Sequence, residues 1–162
     1  MITMLQEYNN ILVPVDGSKE AELALKKAVH VAKLNDAHVD ILNVLDTKQF
    51  IGGYGGMLSG DAIYQISEDA QDYLTNLANA MRDQNGLSKD DISIHVRFGN
   101  PKTVIAVDFP KDHKNDLIMI GATGLSAMAR VLVGSVTEYV NQNALCDVLI
   151  VKTDENNEKP SA

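Results

Sequence analysis

Apolar residues recur along the chain in two rhythms. Short runs at Asn10 to Val15, His38 to Leu45, Ile92 to Phe98, Leu117 to Ile120 and Val148 to Val151 are bounded by turn formers and predict strands. Between them the spacing widens to that of a helix. Leu23, Ala24, Ala28 and Val31 predict an amphipathic helix from Lys19 to about Asn35, with Ser18 placed to cap it. Ile66, Ala70, Leu74, Leu77 and Met81 predict a second, from Tyr64 to Met81, and Gly86 stands where a helix ends. Thr103 to Phe109 is a short helix after Pro101, and Ser135 to about Gln142 is the last.

Strand and helix therefore alternate from end to end. This order predicts an α/β fold, a doubly wound five-stranded parallel sheet with right-handed crossovers and helices on both faces. A strand order of 3-2-1-4-5 would bring the end of the first strand, at Asp16, beside the end of the fourth, at Gly121. Ligands of such sheets bind at the carboxyl ends of the strands, where the order reverses. One domain is expected over residues 1–152, with a disordered tail at 153–162. The glycine-rich stretch from Phe50 to Asp61 reads as a flexible loop.

Composition narrows the chemistry. Apolar residues make up 45% and charged residues 22%, an ordinary globular balance with enough core material for one domain. No run approaches the ~18 apolar residues of a membrane span, and MITMLQEYNN lacks the form of a signal peptide. The single cysteine, Cys146, fits a reducing, cytoplasmic setting. A net charge of −8 without a basic stripe argues against nucleic-acid binding. It also means that a bound phosphate has to be held locally, by backbone amides or a metal.

The strongest candidate for such a site follows the fourth strand. Gly121-x2-Gly124-x9-Gly134-Ser135 lets the backbone approach a ligand closely, and Ser135-x-x-Glu138 has the form of a capping box. The amides of Ser135, Val136 and Thr137 would then open a helix N-terminus, where unpaired donors and the positive dipole end favour phosphate. From spacing alone, two tight turns and an ordinary capped helix explain the pattern equally well. Asp16 has two readings: a contact to a nucleotide or its metal, or a cap on the turn before the first helix. His30, His38, His95 and His113 are scattered in sequence without metal spacing. No P-loop lysine, nucleophile elbow or G-x-G-x-x-G is present.

Pro14-Val15-Asp16-Gly17-Ser18, Gly99-Asn100-Pro101, Asp116 to Gly121, and the long glycine motif together resemble the universal stress protein family, over Asn10 to Lys152. The full glycine pattern with Ser135 is similar to the ATP-binding branch of that family. The resemblance implies ATP as ligand and a homodimer paired through the C-terminal strand around Val148 to Val151. It implies that Gly121 and Gly124 pass beside the ribose and phosphates, and that Gly134, Ser135 and Val136 hold the phosphates, with Thr137 following. It further implies that Pro14, Val15 and Asp16 frame the adenosine and that Val44 offers backbone groups to the adenine edge. Arg130 either reaches the terminal phosphate or is a solvated loop arginine. Mg²⁺ or Mn²⁺ with the phosphates, near Asp16, would offset the charge of ATP on an acidic protein. The expected function is a dimeric stress-response module that binds ATP with little or no hydrolysis and has no catalytic residues. The alternative is an ATP-using enzyme, a slow ATPase or a nucleotidyl or phosphoryl transferase.

Overall fold

The computed structural model describes residues 7–50, 59–124 and 133–159. Five strands, β1 (Asn10–Pro14), β2 (His38–Asp46), β3 (Ile92–Gly99), β4 (Leu117–Gly121) and β5 (Asp147–Val151), form one parallel sheet in the order β3-β2-β1-β4-β5. The expected order is the observed one.

The two sides of each strand feed two cores. On one side Ile11, Val13, Val39 and Ile41 pack beneath α1 (Lys19–Asn35) and α2 (Gly60–Asn85). On the other, Leu12, Leu42, Ile118 and Ile120 pack beneath the helical segment after β3 and α5 (Ser135–Asn143). The connections before β3 therefore cover one face and those after it the other. This change of face leaves the upper ends of β1 and β4 open between the two helical layers.

Local chemistry sets the element ends. Ser18 Oγ accepts the Ala21 amide at 3.2 Å and starts α1. Ser59 does the same for Ala62, so α2 begins at Gly60, ahead of the expected Tyr64. Gly86, at φ +64°, ends α2 where the sequence predicts a stop. A short 3₁₀ turn, Thr47–Phe50, follows β2, while residues 51–58 of the predicted glycine loop lie outside the described residues.

The helix expected at Thr103 to Phe109 is longer. It runs as α3 (Pro101–Thr103), a π-helical stretch (Val104–Asp108) and α4 (Phe109–His113). Pro110 has no N–H for the Ala106 carbonyl, and the Phe109 amide reaches back five residues to Val104. The wider turn carries the helix past a proline that would otherwise end it. Residues 153–159 form a turn held to α1 by Lys27 Nζ, which donates to Thr153 Oγ1 at 2.7 Å and Asn157 Oδ1 at 3.1 Å.

Candidate functional site

A cavity of about 720 Å³ opens at the carboxyl ends of the strands. Pro14, Val15 and Asp16 form one wall at the end of β1, and Asn43 to Asp46 another at the end of β2. Pro101 and Ile105 close the β3 side. Ile120 and Gly121 come from the end of β4, Thr123 and Gly124 from just beyond it, and Val133 to Glu138 from the turn into α5 and its first residues. The structure thus brings together every predicted site residue except Arg130, which lies outside the described residues. Asn43, Asp46, Pro101, Ile105, Thr123 and Val133 also line the cavity, although none of them is among the predicted site residues. The glycine-asparagine-proline motif was the available signal for Pro101.

The start of α5 differs from the predicted capping box. Gly134, with φ −69° and ψ 158°, is the cap residue, and Ser135 is the first helical residue. A capping box pairs the cap with the third helical residue, which here is Thr137, so Ser135 and Glu138 are out of step with it. The first three amides have no carbonyl one turn back, and a glycine cap has no side chain to receive them. The Glu138 amide is the first to close a helical bond, onto the Gly134 carbonyl at 2.9 Å. Ser135, Val136 and Thr137 therefore present donors at the cavity mouth, with Glu138 beside them.

This turn is fastened to the sheet by protein bonds. The Gly134 amide donates to the Ala122 carbonyl at 2.7 Å, and buried Thr137 Oγ1 donates to the Gly121 carbonyl at 2.8 Å. Thr137 is thus committed through its hydroxyl, which leaves only its amide for the cavity. Gly121 has a structural reason as well. A Cβ there would stand 3.0 Å from the carbonyl carbon and oxygen of Glu20 at the start of α1. At Gly124 a Cβ would collide with the Asp16 carboxylate. Asp16 Oδ1 accepts the Ser18 amide at 3.0 Å, so the turn-capping reading of Asp16 is realised while its side chain also lines the cavity.

Across the cavity, β2 outlasts its neighbour. The last bond from β1 runs from the Val15 amide to the Leu42 carbonyl, at 2.8 Å. Backbone groups of a parallel strand face one side at every second residue. The next groups on that side are the N–H and carbonyl of Val44, where β1 no longer runs alongside.

A second polar cluster was not visible in the sequence. The histidines read as scattered are in part gathered around buried Asp40, on the α4 side of the sheet. His95 Nε2 lies 2.9 Å and His38 Nε2 3.4 Å from Asp40 Oδ1, and Asn115 Nδ2 donates to Oδ2 at 3.0 Å. His95 also meets the rings of Phe109 and His113 edge-on. Burial opposes the Asp40 charge, but His38, His95 and Asn115 together hold the carboxyl well below its usual range. The hydrogen bond to Asp40 raises His38 above its ordinary value, against the effect of burial. No group of three or more His, Cys, Asp or Glu is arranged to hold a metal among the described residues. Burial pushes the Cys146 thiol up to about 11, aided by Asp116 and Asp147, which leaves it a poor nucleophile.

Three kinds of likeness agree. The model of the Universal stress protein family matches residues 7–152. A Staphylococcus aureus (strain USA300) protein named for that family is 38% identical over 151 residues, 91% of this chain and 86% of that protein. Among solved structures, universal stress protein UspA from Lactobacillus plantarum is 32% identical with a TM-score of 0.68, over 91% of this chain and 99% of the other. A universal stress protein in complex with cAMP is 27% identical with a TM-score of 0.59, over 90% of this chain and 98% of the other. Among the described residues no helix is long and apolar enough to cross a membrane.

Proposed function

Because this chain belongs to the universal stress protein family, we propose that it binds ATP in the cavity at the ends of β1 and β4 and serves as a dimeric stress-response module with little or no hydrolysis of its own. One observation carries the reading. A donor–acceptor pair on β2 and a row of donors on α5 face the same cavity, as the two ends of a nucleotide require. Adenine presents an acceptor at N1 beside a donor at N6, which complements the Val44 N–H and carbonyl. The amides of Ser135, Val136 and Thr137 suit phosphate oxygens, and the positive end of α5 favours their charge. About 720 Å³ is within the usual range for a small-molecule site. A relative of this chain has been solved with cAMP, itself an adenine nucleotide.

The described lining includes Asp16, Asp46 and Glu138 and no lysine, arginine or histidine. A triphosphate there needs its charge offset. Mg²⁺ or Mn²⁺ held by the phosphates, with Asp16 and water completing its shell, fits this lining and would supply that neutralisation.

Binding without turnover suits a module whose loaded state is read by a partner. The homodimer is assigned to β5, an edge strand on which Leu149 is 41% exposed.

The direct test is to denature protein purified from cells and identify the released nucleotide by mass. ATP is the expected product. Absence of any adenine nucleotide, together with no ATP-induced rise in melting temperature, would overturn the reading.

A further inference from the structure

The adenine reading leaves one charged group at the base end of the cavity without a role. Asp46 closes β2, lines the cavity, and lies two residues beyond Val44, so both side chains leave the same face of the strand. It stands in register with Gly99 of β3. Its Oδ1 accepts the Lys48 amide at 3.0 Å, which fixes the carboxyl and leaves Oδ2 for another donor.

The polarity of β2 decides what Oδ2 would meet. Along the strand the Val44 N–H comes first, its carbonyl next, and residue 46 after that. A base with N1 on the N–H and N6 on the carbonyl therefore points its six-position toward Asp46. An exocyclic amino group carries two hydrogens, and the Val44 carbonyl takes only one. We propose that Asp46 is a specificity-determining residue that accepts the second hydrogen of a 6-aminopurine and repels the oxygen of a 6-oxopurine. The proposal rests on the adenine-nucleotide reading of this cavity. The carboxylate works by exclusion as much as by attraction, because an oxygen facing it would be an unpaired acceptor against a negative charge.

The test compares ATP with ITP, which carries the same triphosphate on a 6-oxopurine. Phosphate contacts and metal cancel in the ratio of the two affinities. Calorimetry in one Mg²⁺ buffer would be run on wild type and on Asp46→Asn. Asparagine keeps an oxygen for the Lys48 amide and offers an N–H to a six-position oxygen. The melting temperature without ligand should match wild type, which shows the turn intact. Wild type should prefer ATP, and Asp46→Asn should narrow the ATP:ITP ratio by about tenfold. If wild type binds ATP and the ratio is the same in both proteins, Asp46 does not set specificity, and the adenine reading stands without it. If wild type binds no adenine nucleotide, the reading itself falls, and the role of Asp46 with it.

Discussion

His95 Nε2 and Asp40 Oδ1 meet 2.9 Å apart beneath α4, in a sheet face otherwise filled by Leu12, Leu42 and Ile118. A carboxylate 4% exposed is tolerable there only because His38, His95 and Asn115 surround it. The cluster makes stability depend on pH in two directions. The Asp40 pKa is lowered by folding, so its contribution is present above about pH 4 and lost as the pH falls through the folded value. The His38 pKa is raised, so its contribution is full below about pH 6.5 and lost as the pH rises through the folded value. Together they should contribute most between these limits. Asp40→Asn should lower stability by about 2–3 kcal/mol near pH 5.5 and flatten the profile above and below. Urea melts across pH 3 to 9 would measure this, and parallel profiles for the two proteins would contradict it.

Two glycines of one motif should respond in opposite ways. Gly121→Ala puts a Cβ 3.0 Å from the Glu20 backbone, which has little freedom to move, and should cost about 1–3 kcal/mol. Gly134 has φ −69°, open to any residue, and a Cβ there would first meet Thr123 Cα at 3.5 Å, an ordinary contact. Gly134→Ala should therefore melt within about 1 kcal/mol of wild type while weakening ATP binding, because the new methyl points into the phosphate turn. Ser135→Ala removes no helix cap, and its effect on ATP should be smaller. Thermal shift at a fixed ATP concentration ranks the three. Ligand at about a hundred times its dissociation constant stabilises by roughly 2.7 kcal/mol, enough to resolve them.

Asp16, Asp46 and Glu138 around one cavity predict a metal requirement for triphosphates. ATP should bind more tightly in Mg²⁺ or Mn²⁺ than in EDTA, and adenosine should show no such difference. Equal ATP affinities in the two buffers would remove the metal from the site.

Assembly through β5 can be separated from folding by the choice of residue. Leu149 is exposed, whereas Ile150 packs against the core cluster that contains Ile118 and Val140. Leu149→Lys should give a folded monomer by light scattering with an unchanged far-ultraviolet spectrum, and Ile150→Lys should lose structure. A wild-type protein already monomeric at micromolar concentration would dismiss the dimer.

The sheet was readable because each strand is an apolar run closed by a turn, and alternation with helices leaves few ways to arrange them. The cavity walls were readable for the same reason, since strand ends and glycine spacing coincide. What escaped depended on backbone angles or on register. Ser135-x-x-Glu138 has the letters of a capping box, but the extended ψ of Gly134 starts the helix one residue earlier in its numbering. The helix expected to end at Phe109 runs on because a π turn removes the need for an amide at Pro110. Residues 40, 95 and 115 are far apart in sequence and meet only once β2, β3 and β4 take their places in one sheet. Asp46 belongs to no motif, and its place follows from where β1 stops beside β2.

The bonds from Gly134 to Ala122 and from Thr137 to Gly121 use protein atoms alone. Among the described residues, the start of α5 is consequently a template fixed without help from a guest. The ordering of α5 against β4 is settled in the folding step, and association has no need to repeat it. Changes to a guest's phosphate chain should then be felt in how long it stays, while the rate of arrival varies little across a series.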